Sequence, residues 1–446
     1  MQNKPSDAPK SVASMGSSCN SLISAQRVQA IFRRWHRPGG GPAPKLSGYE
    51  LVKSLIHHAM AGRGTLSEHV KEATGKTVSD GALSARRQGL EWPIFEEILA
   101  FALKPQAHPK KHPGAFYKGW RLVGVDGSRF SVMNTPAILQ RLSKAATRRM
   151  RAAFAKVGVA VLMELGVHNP VAAVIGRDGE SEMSLAKRLL ASLQTGWLLL
   201  ADRYYGVGVF VWELLKLHTE LGCAFLVRVK DSLKGQVIEV LGDGSTLIEV
   251  RIPGGRKLIL REIRGRVRRG HGRWVSVRLW TCLLDAVRYP AMELLALYAQ
   301  RWEIEIGYKE LKVELRGGML LSSHTVETAA QEIAALLMAQ AVLVQVRMAA
   351  GAYAGVAVLR ISFVKVLQLV RTLWMWVDAG GDMFTAEQLA YCVRRIMRRL
   401  ARAVSRPRRA RSCPRAVRQP IRGWPRLLKN SQDKGGFHYE LLPVTV

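Results

Sequence analysis

The sequence is short of cysteine, of acidic residues and of long hydrophobic runs. Its five cysteines are scattered over 446 residues without a Cys-x-x-Cys pair, which excludes a disulfide framework and argues against a structural zinc site. The most apolar stretch, residues 329–346, contains two glutamines at its centre and end and a Gln-Glu pair near its start, so it predicts a buried helix rather than a membrane span. Residues 1–24 are small and polar, lack the order of a secretory signal and predict a disordered N-terminus of an intracellular protein.

Positive charge is what the chain has in excess. It holds 67 Lys and Arg against 34 Asp and Glu, a formal net charge of +33. Such a chain repels itself unless a polyanion neutralises it, so nucleic acid is the expected partner and an anionic membrane surface the alternative. No acidic residue lies between Glu387 and Asp433, where thirteen arginines predict a basic tail. Because no amphipathic helix with aromatic anchors flanks that tail, the membrane alternative is disfavoured.

The apolar pattern divides the chain into segments of different type. Short β-rich runs alternate with helical stretches over 116–235, which is typical of an α/β core, whereas alternating strands and Gly-rich turns fill 236–283. The predicted segments are a disordered N-terminus (1–24), a helical N-terminal region (25–115), the first part of an α/β core (116–235), a β insertion (236–283), the second part of the core (284–350), a C-terminal helical region (351–403) and the basic, Arg-rich tail (404–446).

Two short helices are predicted inside the N-terminal region. Residues 66–73 and 79–87 have helical patterns, and a turn at Gly75 separates them. A helix, a short Gly-containing turn and a second helix with exposed arginines are typical of a helix-turn-helix, which would make this region a candidate for DNA binding. A helical hairpin with a solvated basic face has the same pattern and is the alternative.

Two aspartates follow apolar runs of the predicted core. Asp126 comes after residues 122–125, and Asp202 comes after residues 198–201. Ligands and catalytic groups gather at the carboxyl ends of strands in α/β sheets, and a carboxylate at such a place is costly without a role. An aspartate after a strand can also simply open a turn or cap the next helix, so neither residue is decisive by itself.

A helix predicted over about 288–315 carries a more specific pattern. At about 100° per residue, one stripe at the margin of its buried face carries four polar groups of different chemistry: Tyr298, Arg301, Glu305 and Lys312. The same projection places three other carboxylates on the opposite, solvent side: Glu303, Glu310 and Glu314. A purely solvated helix does not need that order, although Arg301 and Glu305 could form an ordinary surface pair.

The pattern Tyr-x2-Arg-x3-Glu-x6-Lys is met without a mismatch by those four residues. Together with Val-Asp-Gly-Ser at 125–128 and Ala-Asp-Arg at 201–203, it strongly resembles the IS4 family of bacterial insertion-sequence transposases over roughly residues 121–347. The resemblance implies a ribonuclease-H-like catalytic core of α/β class, interrupted by a β-rich insertion before the third acidic residue and flanked by helical regions.

The resemblance also implies roles for individual residues. Asp126, Asp202 and Glu305 would be the catalytic acidic triad of a DDE enzyme and would bind two Mg²⁺ ions, for which Mn²⁺ could substitute. The expected DNA contacts are the signature residues and two of their neighbours: Tyr298, Arg301, Lys312, Trp302 and Arg203. Trp302 could hold a displaced base, as an aromatic does in some relatives, or could pack in the core. Ser128 and Arg203 could orient the triad.

The implied activity is DNA transposition. Such an enzyme binds double-stranded DNA at the terminal inverted repeats of its element, cleaves there and joins the 3′-hydroxyl ends to target DNA, which implies a homodimer in a synaptic complex. We expect a cytoplasmic, nucleoid-associated protein with no membrane partner. The alternatives are a metal-dependent nuclease without strand transfer and a catalytically silent DNA-binding relative; the presence of all three candidate acidic residues argues against the latter.

Overall fold

The computed structural model describes residues 22–35, 44–145, 152–251, 255–269, 274–318, 320–380, 384–405 and 437–442. The expected disorder of residues 1–21 and most of the expected basic tail lie outside these ranges. Leu22 and Ile23, which the sequence analysis had included in the disordered N-terminus, are buried in the core. The end of the expected tail also differs from a solvated arm, because Phe437–Leu441 forms a β-strand.

The chain divides into two compact units. Unit 1 comprises Met1–Gly119, Val125–Ser192 and Glu303–Val404, and unit 2 comprises Trp120–Gly124, Leu193–Trp302 and Ser405–Val446. The described strands form a mixed parallel and antiparallel sheet, and one long strand contributes residues to both units. Each unit has its own topology, and each carries part of the predicted site.

Unit 1 begins with a group of helices. They are α1 (Ala25–Trp35), α2 (Gly48–Ala61), α3 (Leu66–Thr74), α4 (Asp80–Gln88) and α5 (Trp92–Ala102). Capping boxes begin α2 at Ser47 and α3 at Thr65, each with a glutamate three residues later, because these side chains satisfy backbone N–H groups that a helix leaves unpaired. Gly62 and Gly75 end these helices in the left-handed conformation, which glycine adopts without strain.

The predicted helix-turn-helix corresponds to α3 and α4, but the arginines of α4 are not simply exposed. The Arg87 guanidinium donates hydrogen bonds to the side chain of Gln331 at 3.1 Å and to the carbonyl of Thr328 at 3.1 Å. The side-chain amide of Gln331 donates in return to the carbonyl of Arg87 at 2.8 Å. Arg87 therefore holds α4 against a helix of its own unit, which periodicity alone could not reveal.

That partner is the core helix of unit 1, α11 (Val326–Ala354). It is long and apolar enough to cross a membrane, but 83% of its most apolar window is buried inside the protein. Its buried residues cover all sides, as expected for a helix surrounded by other elements rather than one with a single core-facing stripe. The helices packed on it include α2, α5, α12 (Phe363–Gly380) and α13 (Ala386–Arg402).

The strands of unit 1 belong to an antiparallel arrangement. After β1 (Phe116–Tyr117) comes β2 (Trp120–Ser131), whose residues from Val125 onward lie in unit 1. The next strands, β3 (Lys156–Glu164) and β4 (Asn169–Ile175), form a hairpin in which Leu162 pairs with Ala172. The strand order here is β4–β3–β2. Two short helices complete this part, α6 (Pro136–Arg141) and α7 (Glu182–Leu189).

Unit 2 combines parallel and antiparallel pairing. The first residues of β2 pair in parallel with β5 (Trp197–Ala201), which pairs in parallel with β6 (Ala224–Arg228), and α8 (Gly208–Leu221) connects these two strands. Four antiparallel strands follow: β7 (Gln236–Val240), β8 (Thr246–Arg251), β9 (Lys257–Arg269) and β10 (Val275–Thr281). Because β10 pairs with β6, these strands, which include the predicted β insertion (236–283), extend the sheet.

The last strand, β11 (Phe437–Leu441), also belongs to unit 2. It pairs antiparallel with the end of β9, with Leu441 opposite Gly265 and Phe437 opposite Arg269. The first half of β9 pairs with β8 through Glu262, so β8 and β11 occupy consecutive parts of β9. The end of the chain thus completes a sheet.

The predicted helix over 288–315 is broken. It consists of α9 (Ala291–Tyr298), a 3₁₀ turn (Ala299–Arg301), α10 (Trp302–Lys309) and a π-helical segment (Glu310–Leu315). Tight 3₁₀ and wide π turns change the angle between successive side chains, so a projection at a constant angle misplaces residues on both sides of them. The break between the two units falls between Trp302 and Glu303.

Candidate active site

Asp126 lies within β2 rather than after it, because the strand continues to Ser131. Its side-chain Oδ1 accepts a hydrogen bond from the backbone N–H of Gly127 at 2.9 Å, which fixes the carboxylate rotamer. Its backbone carbonyl accepts the hydroxyl hydrogen of Tyr308 at 2.9 Å. The strand and the segment that carries Glu305 therefore meet at Asp126.

Gly127 leaves room for a second carboxylate. A Cβ atom at this position would lie 2.2 Å from Cγ of Glu182 and 2.9 Å from its Oε1. Glu182 is the first residue of α7, directly after the N-cap Ser181, where a negative charge is favoured by the helix dipole. The Asp-Gly pair thus brings the side chain of Glu182 against the strand next to Asp126, a neighbour that no sequence motif had indicated.

Ser128 holds the lysine of the signature. The Lys312 ammonium group donates to the Ser128 hydroxyl at 3.1 Å and to the carbonyl of Arg129 at 2.9 Å, and lies 5.4 Å from the ring centre of Phe130. Burial lowers the pKa of Lys312, and the nearby charge of Lys156 acts in the same direction.

Glu305 lies on α10 one turn before Tyr308. Side chains three apart on a helix lie on the same face, so the hydroxyl contact of Tyr308 with Asp126 turns the Glu305 face of α10 toward β2. Burial raises the pKa of Tyr308 well above its usual value, and the charges of Asp126 and Glu182 add to that effect. Tyr308 therefore acts as a neutral hydrogen-bond donor, and it too was absent from the predicted site.

The side of this segment that carries Glu303, Glu310 and Glu314 is predicted to face solvent, but part of it is packed against other elements of unit 1. Glu310 is only 6% exposed, and both Glu303 and Glu310 accept hydrogen bonds from the ring of His168 at 2.8 Å. The side chains of Glu303 and Glu314 are about equally exposed, at 25% and 23%, and Glu314 pairs with the exposed Lys309. A carboxylate on a helix predicts a solvent-facing position unless a cation from another element pairs with it. Here that partner is His168, which comes from the β3–β4 hairpin, distant in sequence.

Asp202 belongs to unit 2 and directly follows β5. Its Oδ1 accepts a hydrogen bond from the backbone N–H of Tyr204 at 2.8 Å, and its carbonyl accepts from the N–H of Tyr205 at 3.2 Å. Asp202 therefore opens a turn, which is one of the two roles that the sequence predicts for it. The turn holds the carboxylate at the carboxyl end of β5. Arg203 is exposed in this turn.

Packing, which the sequence alone does not show, explains the residue types at positions 205 and 206. Tyr205 is completely buried and packs against Phe210 of α8, with ring centres 5.2 Å apart. A Cβ on Gly206 would lie 2.1 Å from the carbonyl oxygen of Arg228 and 2.8 Å from Cα of Val229, so only glycine fits there. Tyr205 and Gly206 thereby seat the Asp202 turn on β6.

The first half of the signature surrounds Asp202 in the same unit. Burial raises the pKa of Tyr298 to about 12, with opposing contributions from Arg301 and Arg228 and a further increase from Asp202. Arg301 is 7% exposed and lies 4.9 Å from the Trp302 ring centre. Trp302 is itself 57% exposed, which excludes the alternative of a core tryptophan. Unit 2 therefore brings Tyr298 and Arg301 to Asp202, whereas unit 1 brings Lys312 to the Asp126 strand.

Comparisons with known proteins identify the family of the chain. Residues 121–341 match the transposase DDE domain family. The transposase InsG for insertion sequence element IS4 of Escherichia coli (strain K12) is 27% identical over 365 residues, which cover 80% of this chain and 80% of that protein. The chain belongs to the IS4 family of DDE transposases.

A solved structure is also similar to the transposase. It is the cryo-electron-microscopy structure of the piggyBac transposase synaptic complex with hairpin DNA, with a TM-score of 0.43 and 9% identity over 85% of this chain and 84% of that one. The transposase DDE domain implies the use of divalent metal ions.

The candidate ligands of the transposase fit such an ion in their chemistry. Asp126, Asp202 and Glu305 offer only carboxylate oxygens, which hard cations such as Mg²⁺ prefer, and Glu182 adds another beside Asp126. Across the residues that the structure describes, no three His, Cys, Asp or Glu side chains lie together closely enough to hold a metal ion. Unit 1 supplies Asp126 and Glu305, and unit 2 supplies Asp202.

Proposed function

We propose that this transposase binds the terminal inverted repeats of its element, cleaves DNA there with two Mg²⁺ ions, and joins the resulting 3′-hydroxyl ends to target DNA. Asp126, Asp202 and Glu305 are the proposed catalytic and metal-binding residues, and Mn²⁺ can take the place of Mg²⁺. The proposed DNA contacts are the exposed or signature side chains near them: Tyr298, Arg301, Trp302, Lys312 and Arg203.

One observation carries this proposal. The segment with Glu305 meets the first aspartate motif through consecutive contacts, Tyr308 with the Asp126 carbonyl and Lys312 with Ser128. These contacts support the proposal that Glu305, on the same segment, faces Asp126. A four-residue pattern that arose by chance of composition would have no reason to dock on the Asp-Gly-Ser motif.

Each proposed residue has a separate task in the reaction. Metal ions, when bound, activate a water molecule and stabilise the leaving oxygen of the cleaved phosphodiester. The three carboxylates would hold those ions. The backbone N–H groups of Gly127 and Tyr204 fix the carboxylates of Asp126 and Asp202, respectively. Lys312 supplies a point charge and Arg301 a planar fork for phosphate oxygens near the scissile bond. The freed 3′-hydroxyl then attacks target DNA in a transesterification that needs no external energy.

The strand order supports a ribonuclease-H-like core. Three consecutive strands are antiparallel in the order β4–β3–β2 in unit 1, and β2, β5 and β6 are parallel in unit 2 with a helix between the last two. Two of the three candidate carboxylates lie on or directly after strands of this sheet, Asp126 within β2 and Asp202 after β5. The antiparallel strands β7–β10 precede the third acidic residue, as expected for the insertion.

Recognition of specific DNA ends requires base contacts, since phosphate contacts carry no sequence information. We assign that task to the helical N-terminal region, using surfaces other than Arg87, which is engaged with α11. The Arg-rich segment 404–436, most of it outside the described residues, grips flanking or target DNA. Two ends must be handled together, so the active form is a homodimer in a synaptic complex, working in the cytoplasm at the nucleoid.

The decisive experiment measures cleavage and binding of inverted-repeat DNA separately. We expect Asp126→Asn, Asp202→Asn and Glu305→Gln each to abolish cleavage while a gel-shift assay shows unchanged affinity. Glu220→Gln, on the exposed side of α8, is the matched control and keeps full activity. Cleavage at wild-type rate by any one of the three variants would remove that residue from the triad.

Strand transfer distinguishes the proposal from its alternatives. Pre-cleaved ends are supplied with a target plasmid, and joined products are counted. Joining identifies a transposase that completes the reaction, cleavage without joining identifies a hydrolytic nuclease, and binding without either identifies a silent relative.

A further inference from the structure

His168 occupies an unusual position in unit 1. It lies at the end of the turn between β3 and β4, is fully buried, and has a backbone φ of 60°, in the left-handed region that few non-glycine residues adopt. Such a conformation costs free energy, and it persists only where the surrounding contacts fix it. Its ring reaches the segment that carries Glu305.

Both nitrogens of the His168 ring are used. Nε2 lies 2.8 Å from a carboxylate oxygen of Glu303, and Nδ1 lies 2.8 Å from a carboxylate oxygen of Glu310. Ionised carboxylates only accept hydrogen bonds, so both ring nitrogens donate and the ring is the imidazolium form. Burial opposes this charge, but the two carboxylates outweigh it and raise the pKa of His168.

The two carboxylates bracket Glu305. Glu303 precedes it on α10, and Glu310 begins the π-helical segment about two turns after Glu303. One ring thus binds the helix on either side of the catalytic candidate. Two charged contacts about two turns apart fix both the rotation of a helix and its position along its axis, whereas apolar contacts alone tolerate sliding.

Arg347 of α11 completes the group. Its guanidinium donates to Glu310 at 3.1 Å and to the carbonyl of Ile361 at 2.8 Å. The group as a whole contains two carboxylates, one imidazolium and one guanidinium, so its charges balance. A balanced and hydrogen-bonded buried group is tolerated, whereas the loss of one member leaves an uncompensated buried charge.

The hairpin that carries His168 is itself fixed. The buried carboxylate of Glu164 accepts hydrogen bonds from the N–H of Gln106 at 2.8 Å, from the N–H of Ala107 at 3.1 Å and from the side chain of Asn169 at 2.8 Å. The N–H of His168 donates to the carbonyl of Glu164 at 2.9 Å. The position of His168 is therefore fixed by contacts that do not involve the helix to which its ring binds.

Backbone packing against the same hairpin leaves little freedom for α10. A Cβ on Gly307 would lie 2.2 Å from the sulfur of Met163 on β3, and the side chain of Gln340 donates to the Gly307 carbonyl at 3.1 Å. Close approach at Gly307 sets the distance between helix and strand. The charged contacts of His168 act on the rotation of the helix together with the Tyr308 hydroxyl contact.

We propose that His168 is a positioning residue for cleavage, binding Glu303 and Glu310 so that Glu305 faces Asp126 in the orientation that DNA cleavage requires. This inference rests on the proposed function, because it gives Glu305 a catalytic task. His168 itself touches neither DNA nor the candidate metal ligands. Its role is exerted through the helix.

The test uses the full-length protein with His168→Gln and Glu310→Gln. Single-turnover cleavage of inverted-repeat DNA is followed at saturating enzyme, together with DNA affinity and Mn²⁺ affinity measured by calorimetry on the DNA-bound protein in the absence of turnover. We expect the cleavage rate constant to fall at least 10-fold, Mn²⁺ affinity to fall several-fold, and DNA affinity to stay unchanged. His218→Gln, whose ring Nδ1 lies 2.6 Å from the Cys223 carbonyl oxygen in unit 2, is the matched control and keeps wild-type values.

The rate constant distinguishes positioning from mere stability. A variant that is partly unfolded but otherwise intact loses reaction amplitude and keeps the wild-type rate constant, and that result would overturn the proposal. Should His168→Gln not fold, Glu303→Ala serves instead, because the side chain of Glu303 is partly exposed and alanine removes its contact with the His168 ring. An unchanged rate constant in that variant also overturns the proposal. Normal cleavage by His168→Gln together with inactivity of Asp126→Asn rejects the inference and leaves the proposed function standing, whereas cleavage by Asp126→Asn rejects the function itself.

Discussion

Lys312 and Ser128, which are 184 residues apart in sequence, are joined by a hydrogen bond of 3.1 Å. The bond connects the last residue of the four-residue signature with the last residue of the Val-Asp-Gly-Ser motif. With the Arg129 carbonyl as a second acceptor, it holds a cation two residues from Asp126 on the same strand. The two most specific parts of the sequence therefore form one structural element of unit 1.

Replacing Lys312 tests whether its ammonium group binds DNA phosphate in addition to its contacts with β2. We expect Lys312→Ala to lower the cleavage rate at least about 10-fold and to reduce the salt dependence of DNA binding by about one ion, because one phosphate contact is lost. Lys309→Ala, an exposed neighbour paired with Glu314, is the control. A gel-shift titration between low and moderate salt, with cleavage assayed in parallel, gives both quantities; an unchanged salt slope would confine Lys312 to a structural role.

Gly206 should be intolerant of any side chain. An alanine there would place its Cβ 2.1 Å from a backbone oxygen of β6, which no side-chain rotation relieves. We expect Gly206→Ala to reduce the free energy of unfolding by about 1–3 kcal/mol and to lower cleavage further by moving the Asp202 turn. Gly242→Ala, where no atom lies within 4 Å of the added Cβ, should change stability by less than about 0.5 kcal/mol. Urea unfolding of both variants makes the comparison.

The charge on His168 should make stability depend on pH. Because the folded pKa is raised above 6.5, the protonated ring contributes fully below about pH 6.5, and its contribution falls as the pH rises toward the folded pKa. In that window the folded state holds a proton that the unfolded state has lost, so stability falls by up to about 1.4 kcal/mol per pH unit. The facing charges are Glu303, Glu310 and Arg347.

Unfolding measured from pH 6 to pH 9 checks this sign. The wild-type free energy of unfolding should decline more steeply than that of His168→Gln, and the two curves should converge at high pH. Parallel curves would show that His168 is neutral in the folded protein.

The Arg-rich segment should contribute affinity without specificity. Deleting residues 406–432 removes eight arginines while keeping β11, so the fold of unit 2 is retained. We expect weaker binding by a similar factor on inverted-repeat and unrelated DNA, and a smaller salt slope. An internal deletion is preferable to a truncation near residue 390, which would cut into α13. Loss of affinity for inverted-repeat DNA alone would instead assign base recognition to this segment.

Much of the architecture could be predicted because it depends on local pattern. The apolar runs before Asp126 and Asp202 are buried strands, and the alternating stretch after residue 236 consists of antiparallel strands. The four signature residues could be identified from a short motif on one helical segment, but their separate surroundings, Tyr298 near Asp202 and Lys312 beside the Asp126 strand, appear only in the structure. Their roles in the reaction stay predictions. Transposase family membership followed from the same residues.

What could not be predicted depends on partners distant in sequence. Nothing local distinguishes Glu310 from a solvated glutamate, since His168 and Arg347 come from other elements. Similarly, Arg87 is indistinguishable from an exposed arginine until Gln331 faces it. The 3₁₀ and π turns of the signature segment are tertiary adjustments that a constant helical angle cannot express. Gly127 and Gly206 are explained only by the atoms that fill the space beside them.

The pairing of β11 with the second half of β9 has a consequence during synthesis. Gly265–Arg269 lacks its partner on that side until Phe437–Leu441 has been synthesised, so a polypeptide that stops within the arginine segment exposes a strand edge. Two such polypeptides can pair edge to edge and aggregate.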